Sequence, residues 1–209
     1  MKTKNIIYLA LLILTFQACQ SKGDMPESVK DLVDQLQQDM VNKHLNHNLT
    51  QFHLQNQPVS SNLLLRSTEQ TTLELADLTG FSSTLIFRYS EIHCNTCIDL
   101  VVQKMNELYQ SGFTQMAIIA SYSEYRHFTS FVRANKLQMP VYLLEEGDEK
   151  GIFDTEIPPY LFALDQSMNI QYPFVPIKEM EAGVDMYLNF VQEKVKERTS
   201  PLSRVEAPH

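Results

Sequence analysis

The sequence predicts an α/β protein: a three-layer sandwich with a mixed, partly parallel central sheet and an N-terminal helical extension. From residue 84 onward, short apolar runs such as "TLIFRY" and "MAIIA" alternate with longer segments whose apolar residues recur at helical spacing. Such alternation of strands and helices is typical of a sheet covered by helices. Before it, residues 26–45 show the helical period on their own and open with Pro26, which suits a first helical turn.

The first 18 residues are predicted to be a cleaved signal peptide. Lys2 and Lys4 precede an apolar run of eleven residues, "IIYLALLILTF", which is shorter than the about 20 residues that a membrane-spanning helix needs. Ala18 comes directly before Cys19, and "LTFQAC" resembles a bacterial lipobox, in which the cysteine becomes the first mature residue and carries the lipid. Lipidation of Cys19 is therefore expected, with an ordinary cleaved signal peptide as the alternative.

The cysteine count supports this interpretation. The chain has three cysteines, and lipidation of Cys19 would leave Cys94 and Cys97 as a pair in an exported, disulfide-permissive compartment. A disulfide across two intervening residues closes a very small loop and removes little entropy from the unfolded chain. Because such a bridge stabilises a domain only weakly, the sequence favours a chemical role for the pair.

The charge balance argues against some classes of partner. The formal net charge is −8 at pH 7, and loss of Lys2 and Lys4 with a signal peptide would make it more negative. An acidic protein is poorly suited to nucleic acid or to an anionic membrane surface. No nucleic-acid partner is expected.

The chain is predicted to divide into five consecutive parts. These are a signal peptide at 1–18, a lipid-anchored tether at 19–25, an N-terminal extension at 26–72, a main domain at 73–196 and a flexible tail at 197–209. In the extension, a helix is predicted over 26–45. The loosely alternating residues 49–78 favour a strand pair or an irregular extended chain.

In the main domain, strands are predicted at the short apolar runs, over residues 85–89, 116–120, 141–144, 160–164 and 170–174. A helix over 95–110, ended by Gly112, follows the first strand. Ser121 and Glu124 predict a capping box that opens a second helix through Asn135. The last helix is predicted over 177–196, with Met180 on its inner stripe. Each helix has one apolar face, which predicts packing against the sheet.

Cys94 and Cys97 lie where a predicted strand ends and a predicted helix begins. Unpaired amide groups at a helix N-terminus favour the thiolate, and such surroundings lower the pKa of a cysteine from about 8.5 to between about 3.5 and 7.5. The second cysteine, one turn further along, is placed to attack a mixed disulfide formed by the first. The sequence therefore predicts Cys94 as the attacking thiolate and Cys97 as the resolving thiol.

Two stretches carry a resemblance to a known family. "LELADLTGFSSTLIFRYSEIHCNTC" resembles the first hairpin, core strand and active-site turn of the thioredoxin superfamily, specifically its membrane-anchored, TlpA-like thiol–disulfide oxidoreductases. "IPPYLFALDQSMNI" is similar to the stretch that presents the family's cis-proline and enters its final hairpin. The resemblance covers residues 73–196 and implies a thioredoxin-like three-layer sandwich.

The resemblance also implies a substrate groove beside the cysteines. Pro159 takes the cis-proline position, with Pro158 before it, and nearby backbone would pair with an extended client segment. The alternative is that the two prolines only mark a loop before a strand. His93 stands where an aromatic residue often precedes the first cysteine. As an imidazolium it would favour the Cys94 thiolate, and the alternative is a solvated loop histidine.

Several positions depart from the family pattern. Asn95 and Thr96 replace the dipeptides of thioredoxins and of strong oxidants, and so leave the redox direction open. Arg88 stands near the usual buried acidic residue, which helps to move a proton from the second cysteine, and Glu91 is a candidate substitute. The family's proline in the active-site helix is absent, and Val102 is the nearest residue.

Three other functions stay open. The cysteine pair with His44 and His47 would make a tetrahedral zinc set. A peroxide-reducing thiol enzyme needs a Thr or Ser two or three residues before its cysteine, where this chain has Ile92 and Glu91. A thioredoxin-like fold can also serve as a binding or assembly module with little turnover.

The sequence thus predicts an extracytoplasmic thiol–disulfide oxidoreductase that acts on protein cysteines, expected on the reducing side, with no metal and no organic cofactor. Its partners would be protein thiol or disulfide clients and an unidentified redox donor. A lipid on Cys19 would anchor it in the bacterial cell envelope, facing the periplasm or the exterior. By analogy with lipoprotein sorting, Gln20 after the lipidated cysteine favours the outer membrane of a Gram-negative cell.

Overall fold

The computed structural model describes residues 27–80, 83–144, 151–178 and 180–199. The chain falls into two compact units, Met1–Leu45 and a second unit that begins at Asn46. The predicted signal peptide, Cys19 with its tether, and residues 200–209 of the predicted tail lie outside the described residues. None of the helices within the described ranges is long and apolar enough to span a membrane.

Within these ranges the chain forms five α-helices and seven β-strands. The helices are α1 (Glu27–Leu54), α2 (Leu75–Thr79), α3 (Asn95–Gln110), α4 (Tyr125–Ala134) and α5 (Glu181–Thr199). The strands are β1 (Leu64–Ser67), β2 (Thr72–Glu74), β3 (Thr84–Ser90), β4 (Met116–Ser121), β5 (Val141–Leu144), β6 (Tyr160–Leu164) and β7 (Ile170–Phe174). A 3₁₀ helix, Gly151–Phe153, precedes β6.

The seven strands form one mixed sheet in the order β2-β1-β5-β4-β3-β6-β7. The strands β3, β4 and β5 are parallel, with Leu85 opposite Met116 and Ile118 opposite Val141. The antiparallel strands β6 and β7 extend the sheet on one side, and β1 and β2 extend it on the other. This arrangement confirms the predicted α/β class with a mixed central sheet. All seven residues of β3, which lies between β4 and β6, are buried.

Each face of the sheet carries its own hydrophobic core. One core contains the buried faces of α3 and α5 together with Phe128 of α4. The other contains Leu54 at the end of α1, Leu75 of α2 and Phe153 of the 3₁₀ helix. Leu85 and Phe87 of β3 belong to one core and Ile86 belongs to the other, which explains why this part of the strand is apolar at consecutive rather than alternate positions. The two cores hold β3, and the turn that follows it, in a fixed place.

Helix α1 extends further than the predicted helix over 26–45. Its last residue, Leu54, is fully buried, and Gln51 Oε1 accepts a hydrogen bond from the Val175 N–H at 3.2 Å. These contacts to distant parts of the chain stabilise the last turns of the helix. A local apolar pattern does not reveal them, because most helical stability in proteins comes from tertiary packing.

In the unit before Asn46, the described residues are the first part of α1. Leu32, Leu36 and Met40, which recur at helical spacing, are 55%, 56% and 60% exposed. The helical spacing of these apolar residues therefore predicted the helix correctly, but the residues themselves are exposed.

The stretch 49–78, predicted as a strand pair or irregular chain, contains a hairpin and a short helix. The strands β1 and β2 pair antiparallel, with Leu65 opposite Leu73. Strand β1 also pairs with β5, so this hairpin belongs to the main sheet. The predicted border between extension and main domain, at residue 73, falls inside β2.

The starts of two helices differ from the prediction. Ser121 is the last residue of β4, opposite Ser90, and Glu124 is the N-cap of α4 without a side-chain capping bond. The predicted capping box of Ser121 and Glu124 is therefore wrong, because pairing with β3 keeps Ser121 in the strand. Helix α5 begins at Glu181 rather than at residue 177, and Met180 is exposed instead of facing inward.

Candidate active site

Cys94 and Cys97 lie at the junction of β3 and α3. Strand β3 ends at Ser90, the turn 91–93 follows, and Cys94 is the N-cap of α3 with φ −60° and ψ 111°. The N–H groups of Cys97 and Ile98 donate to the Cys94 carbonyl at 3.1 and 3.2 Å, which closes the first turn of the helix. Because β3 is buried on both faces, it fixes the point at which this turn emerges.

The two sulfurs differ in accessibility. Cys94 is exposed and Cys97 is half-buried, and neither is in a disulfide. Hydrogen bonds from the backbone N–H and the thiol of Cys97, with further donors on Thr96, lower the pKa of Cys94 below its usual value. Cys94 thus combines an accessible sulfur with a lowered pKa.

His93 is held at both ring nitrogens. The Ser90 N–H lies 2.9 Å from Nδ1, and Nε2 lies 2.9 Å from the carbonyl oxygen of Thr155. Because Nδ1 is an acceptor, the ring proton is on Nε2 and the imidazole is neutral. Burial lowers the pKa of His93, the charge of Arg88 adds to this, and the hydrogen bond to Thr155 only partly offsets it. Both hypotheses from the sequence, an imidazolium that favours the Cys94 thiolate and a solvated loop histidine, are wrong.

Pro158 and Pro159 lead into β6 beside the cysteine strand. Tyr160, the first residue of β6, is opposite Arg88 of β3, so Pro159 lies next to the end of β3 that carries the cysteines. Pro159 is buried and Pro158 is half-buried. No peptide bond among the described residues is cis, so the prediction of a cis bond before Pro159 is wrong. Trans is the lower-energy form of an X–Pro bond by about 0.5–1 kcal/mol, and the spacing to Asp165 does not decide the isomer.

Arg88 occupies the buried position near the cysteine turn where the resemblance implies an acid. It is 1% exposed, and its Nη2 donates to the carbonyl of Phe153 at 2.5 Å. A guanidinium stays charged at any pH that proteins meet and has no acceptor atom. Arg88 therefore cannot take a proton from Cys97, and its hydrogen bond holds the 3₁₀ helix against β3.

Glu91 does not replace that acid. Its Oε1 accepts a hydrogen bond from the Ser123 N–H at 2.7 Å, and its Oε2 lies 3.6 Å from His127 Nδ1. Burial acts to raise the pKa of Glu91, but the hydrogen bonds from Ser123 and the charge of His127 outweigh it and lower the pKa overall. A carboxylate held in this way is a weak base. The structure gives no support to Glu91 as the proton acceptor of Cys97.

Three residues around the site were not predicted from the sequence. Thr155 is 62 residues from His93 in the chain, and Ser123 is 32 residues from Glu91. Thr155 uses its backbone carbonyl, so its residue type carries no signal, whereas Ser123 uses its backbone N–H and its side chain but is far from Glu91 in the chain. Of the three, Thr96 alone could have been found from the sequence. It lies in the first turn of a predicted helix whose N-terminal amides were expected to favour a thiolate.

A pocket of about 400 Å³ opens beside the turn 91–93, at the carboxyl ends of β3, β4 and β5. Glu91 and Ile92 of this turn line it, together with Tyr122 and Thr155. Ile92 is 71% exposed. Crevices at the carboxyl ends of parallel strands are common ligand sites in open α/β sheets. The pocket has room for an amino-acid side chain.

Residues for the rival chemistries are not assembled in the described part of the chain. There, no group of three or more His, Cys, Asp or Glu side chains is placed to hold a metal ion. The residues two and three before Cys94 are Ile92 and Glu91, so the hydroxyl that a peroxide-reducing enzyme needs is absent at those positions.

Comparison with known proteins identifies the fold. No protein-family model and no curated protein sequence matches the chain. Its structure is similar to that of a thiol:disulfide interchange protein from Bacteroides sp., with a TM-score of 0.52 and 14% identity over 74% of this chain and 97% of that chain. An uncharacterized thioredoxin-like protein from Porphyromonas gingivalis gives a TM-score of 0.50 and 21% identity over 65% and 91% of the two chains.

A third similar structure is that of the bacterioferritin comigratory protein from Xanthomonas campestris, studied for its alkyl peroxide reduction activity. Its TM-score is 0.51, with 14% identity over 69% of this chain and 98% of that chain. Together these likenesses show a thioredoxin-like fold, as the sequence predicted.

Proposed function

We propose that this thioredoxin-like chain is a thiol–disulfide oxidoreductase that acts on protein cysteines through Cys94 and Cys97. The observation that carries the proposal is the position of Cys94, which is exposed at the N-cap of α3 among donors that lower the pKa of its thiol. An accessible thiolate on a fixed helix end is the group that attacks a disulfide. The name of the Bacteroides neighbour, a thiol:disulfide interchange protein, supports the same chemistry.

The exchange takes place in two steps. The Cys94 thiolate attacks one sulfur of a client disulfide, which forms a mixed disulfide and releases the other client sulfur as a thiolate. Cys97, half-buried one turn along α3, then loses its proton and attacks the Cys94 sulfur, which releases the second client sulfur. The client gains two electrons from the enzyme and one proton from Cys97, its second thiolate takes a proton from solvent, and a Cys94–Cys97 disulfide remains. A redox donor must reduce that disulfide before the next cycle.

Proton transfer from Cys97 differs from what the resemblance implied. Arg88 cannot accept a proton, and the carboxylate of Glu91 is bound to Ser123. The client thiolate that departs in the first step is a stronger base than a carboxylate. In this proposal that thiolate takes the Cys97 proton.

The client lies along the segment that leads into β6. Pro158 and Pro159 border the cysteine end of β3, and the pocket is lined by Glu91 and Ile92 of the cysteine turn and by Thr155. An extended client segment that passes over Cys94 would contact both. We assign Pro158 and Pro159 to the client groove, and His93 to its support.

The proposal includes the reducing direction and the location. The sequence, with a signal peptide, a lipobox-like stretch and Cys19, supports a lipid-anchored protein of the bacterial cell envelope. There it would face the periplasm or the exterior, at the outer membrane if the cell has one. Its partners are protein clients and an unidentified redox donor.

A second candidate function is a binding or assembly module with little turnover. The observation that favours it is the buried Arg88 in place of an acid near the cysteine turn. Fold alone does not decide between the two candidates.

Turnover separates the two candidates. The reduced protein is mixed with a disulfide-bonded peptide, quenched with acid and analysed by mass spectrometry, with Cys94→Ser as the control. An oxidoreductase converts the peptide disulfide and gains a Cys94–Cys97 disulfide in equal amount, whereas a module converts none. The reduction potential of the Cys94–Cys97 pair would then indicate the direction. A value of about −270 mV, as for thioredoxin, would support the reducing direction, and one of about −120 mV, as for a strong oxidant, would contradict it.

A further inference from the structure

We propose that His93 is a positioning residue that joins the cysteine turn to the segment 155–159 and so sets where Pro159 lies relative to Cys94. The inference rests on the proposed function, because it names the group that holds the client groove in register with the attacking sulfur. Sequence reasoning placed His93 near the groove but gave it a different role, as a charge beside Cys94.

The evidence is a pair of hydrogen bonds, one at each ring nitrogen of His93: Nδ1 accepts a hydrogen bond from the chain before the turn, and Nε2 donates one to the chain after the 3₁₀ helix. The Ser90 N–H is 2.9 Å from Nδ1, and Nε2 is 2.9 Å from the Thr155 oxygen. The first bond sets the orientation of the ring within the cysteine turn, and the second reaches across to the chain that leads into β6. Both are satisfied only by the neutral ring with its proton on Nε2.

Other contacts hold the neighbouring chain, but they come from the sheet. Arg88 Nη2 donates to the Phe153 carbonyl at 2.5 Å, and the Tyr160 hydroxyl donates to the Ile152 carbonyl at 2.6 Å. Both of these acceptors belong to the 3₁₀ helix. Within the described residues, His93 joins the turn 91–93 to the segment 155–159 through its bond to the Thr155 carbonyl, and the backbone of Ile157 also bonds to the ring.

Burial, with the charge of Arg88 added to it, favours the neutral form of the His93 ring. Arg88, from β3, is the charged side chain that acts on it, and Asp154 and Glu156 flank Thr155 in the chain. Burial and the charge of Arg88 lower the pKa of His93, so the neutral form persists to a lower pH than for an ordinary histidine. Protonation of Nδ1 would remove the acceptor for Ser90 and release the ring.

The test compares His93→Gln, His93→Asn and a matched control, His53→Asn, in which an exposed histidine of α1 is changed. A glutamine places an amide N–H₂ near the position of Nε2 and can still reach Thr155, whereas an asparagine is too short. We expect His93→Asn to lower kcat/KM for a disulfide-bonded peptide about tenfold, the effect of one lost hydrogen bond in a binding site. His93→Gln is expected to recover most of that loss, and the control to lose none.

A second readout separates positioning from an effect on the charge of Cys94. The rate of Cys94 alkylation by iodoacetamide is followed against pH, and its midpoint is expected to be the same in the wild type and both His93 variants. A midpoint that moves upward in His93→Asn would overturn the inference, because His93 would then be stabilising the thiolate. Equal loss of kcat/KM in both His93 variants would also overturn it.

A third readout does not depend on turnover. In the wild type, imidazole ¹⁵N signals are expected to show a proton on Nε2 and none on Nδ1. The Ile157 N–H donates to the Asp154 carbonyl at 3.2 Å across the turn that contains Thr155, and it is expected to exchange with solvent faster in His93→Asn, because this turn loses its bond to His93. A proton on Nδ1, or unchanged exchange at Ile157, would contradict the contact itself. A wild-type protein that fails to exchange disulfides would contradict the proposed function, while these spectra still decide whether His93 holds Thr155.

Discussion

The Glu91 carboxylate accepts a hydrogen bond from the backbone N–H of Ser123 at 2.7 Å, which joins the turn after β3 to the turn after β4. The backbone adds a second link, from the Glu91 N–H to the Ser121 carbonyl at 2.9 Å. Glu91, which the sequence offered as a candidate proton acceptor, therefore connects these two turns through hydrogen bonds. This relationship leads to a prediction about stability rather than about catalysis.

Glu91→Gln is expected to lower the free energy of unfolding by about 1 kcal/mol at pH 7, because a hydrogen bond to a carboxylate is stronger than one to an amide. The pKa of Glu91 is lower in the folded protein than in the unfolded chain, so its stabilisation is present above the unfolded pKa of about 4.3 and is lost as the pH falls through the folded pKa. Urea unfolding at pH 7 and in acid should show the difference from the wild type vanish in acid. A difference that persists in acid would contradict this account, and Glu124→Gln is the matched control.

Cys97→Ala is expected to raise the pH midpoint for alkylation of Cys94 with iodoacetamide. The substitution removes the Cys97 thiol, one of the donors that lower the pKa of Cys94. Cys97→Ser keeps a side-chain donor and should leave the midpoint nearer that of the wild type. If both variants behave alike, the side chain of residue 97 does not stabilise the thiolate.

Arg88→Met is expected to reduce the free energy of unfolding by about 2 kcal/mol, because it leaves the buried Phe153 carbonyl without this donor while filling most of the same space. The control is Arg126→Met on α4, an exposed residue paired with Glu124 at 3.2 Å, for which less than about 0.5 kcal/mol is expected. Chemical unfolding measures both. Equal effects would show that the Arg88 contact does not stabilise the fold.

Cys19→Ser is expected to move the mature protein from the membrane fraction to the soluble fraction of fractionated cells. The reason is that the lipobox-like stretch makes Cys19 the predicted lipid carrier. Cys94→Ser, which keeps Cys19, should stay with the membrane. Retention of Cys19→Ser in the membrane fraction would show that another feature holds the protein there.

Local patterns were enough to predict the central elements and the place of the cysteine pair. Helix α3 matches the predicted range 95–110, and β3 extends one residue beyond the prediction at each end. Both elements follow from the spacing of apolar residues that are close in the chain. The lowered pKa expected for Cys94 follows from its place at the start of α3. These features depend on neighbours in the chain.

The parts that could not be predicted depend on distant residues. The role of His93 is set by the backbone carbonyl of Thr155, and that of Glu91 by Ser123, and both partners lie far away in the chain. The cis and trans forms of the peptide bond before Pro159 differ in free energy by only about 0.5–1 kcal/mol, so the distance in sequence from Pro159 to Asp165 does not predict which form is present. The support of the site therefore becomes visible only in the folded chain.

The measurement that tests the central claim most directly is the trapping of mixed disulfides by single cysteine variants in living cells. Cys97→Ser keeps the exposed Cys94 thiolate but cannot resolve the intermediate, so it should accumulate reductant-sensitive adducts with client proteins on non-reducing gels. Cys94→Ser should accumulate few or none, because Cys97 is half-buried. Equal trapping by the two variants, or an absence of adducts with Cys97→Ser, would contradict the assignment of Cys94 as the attacking thiolate.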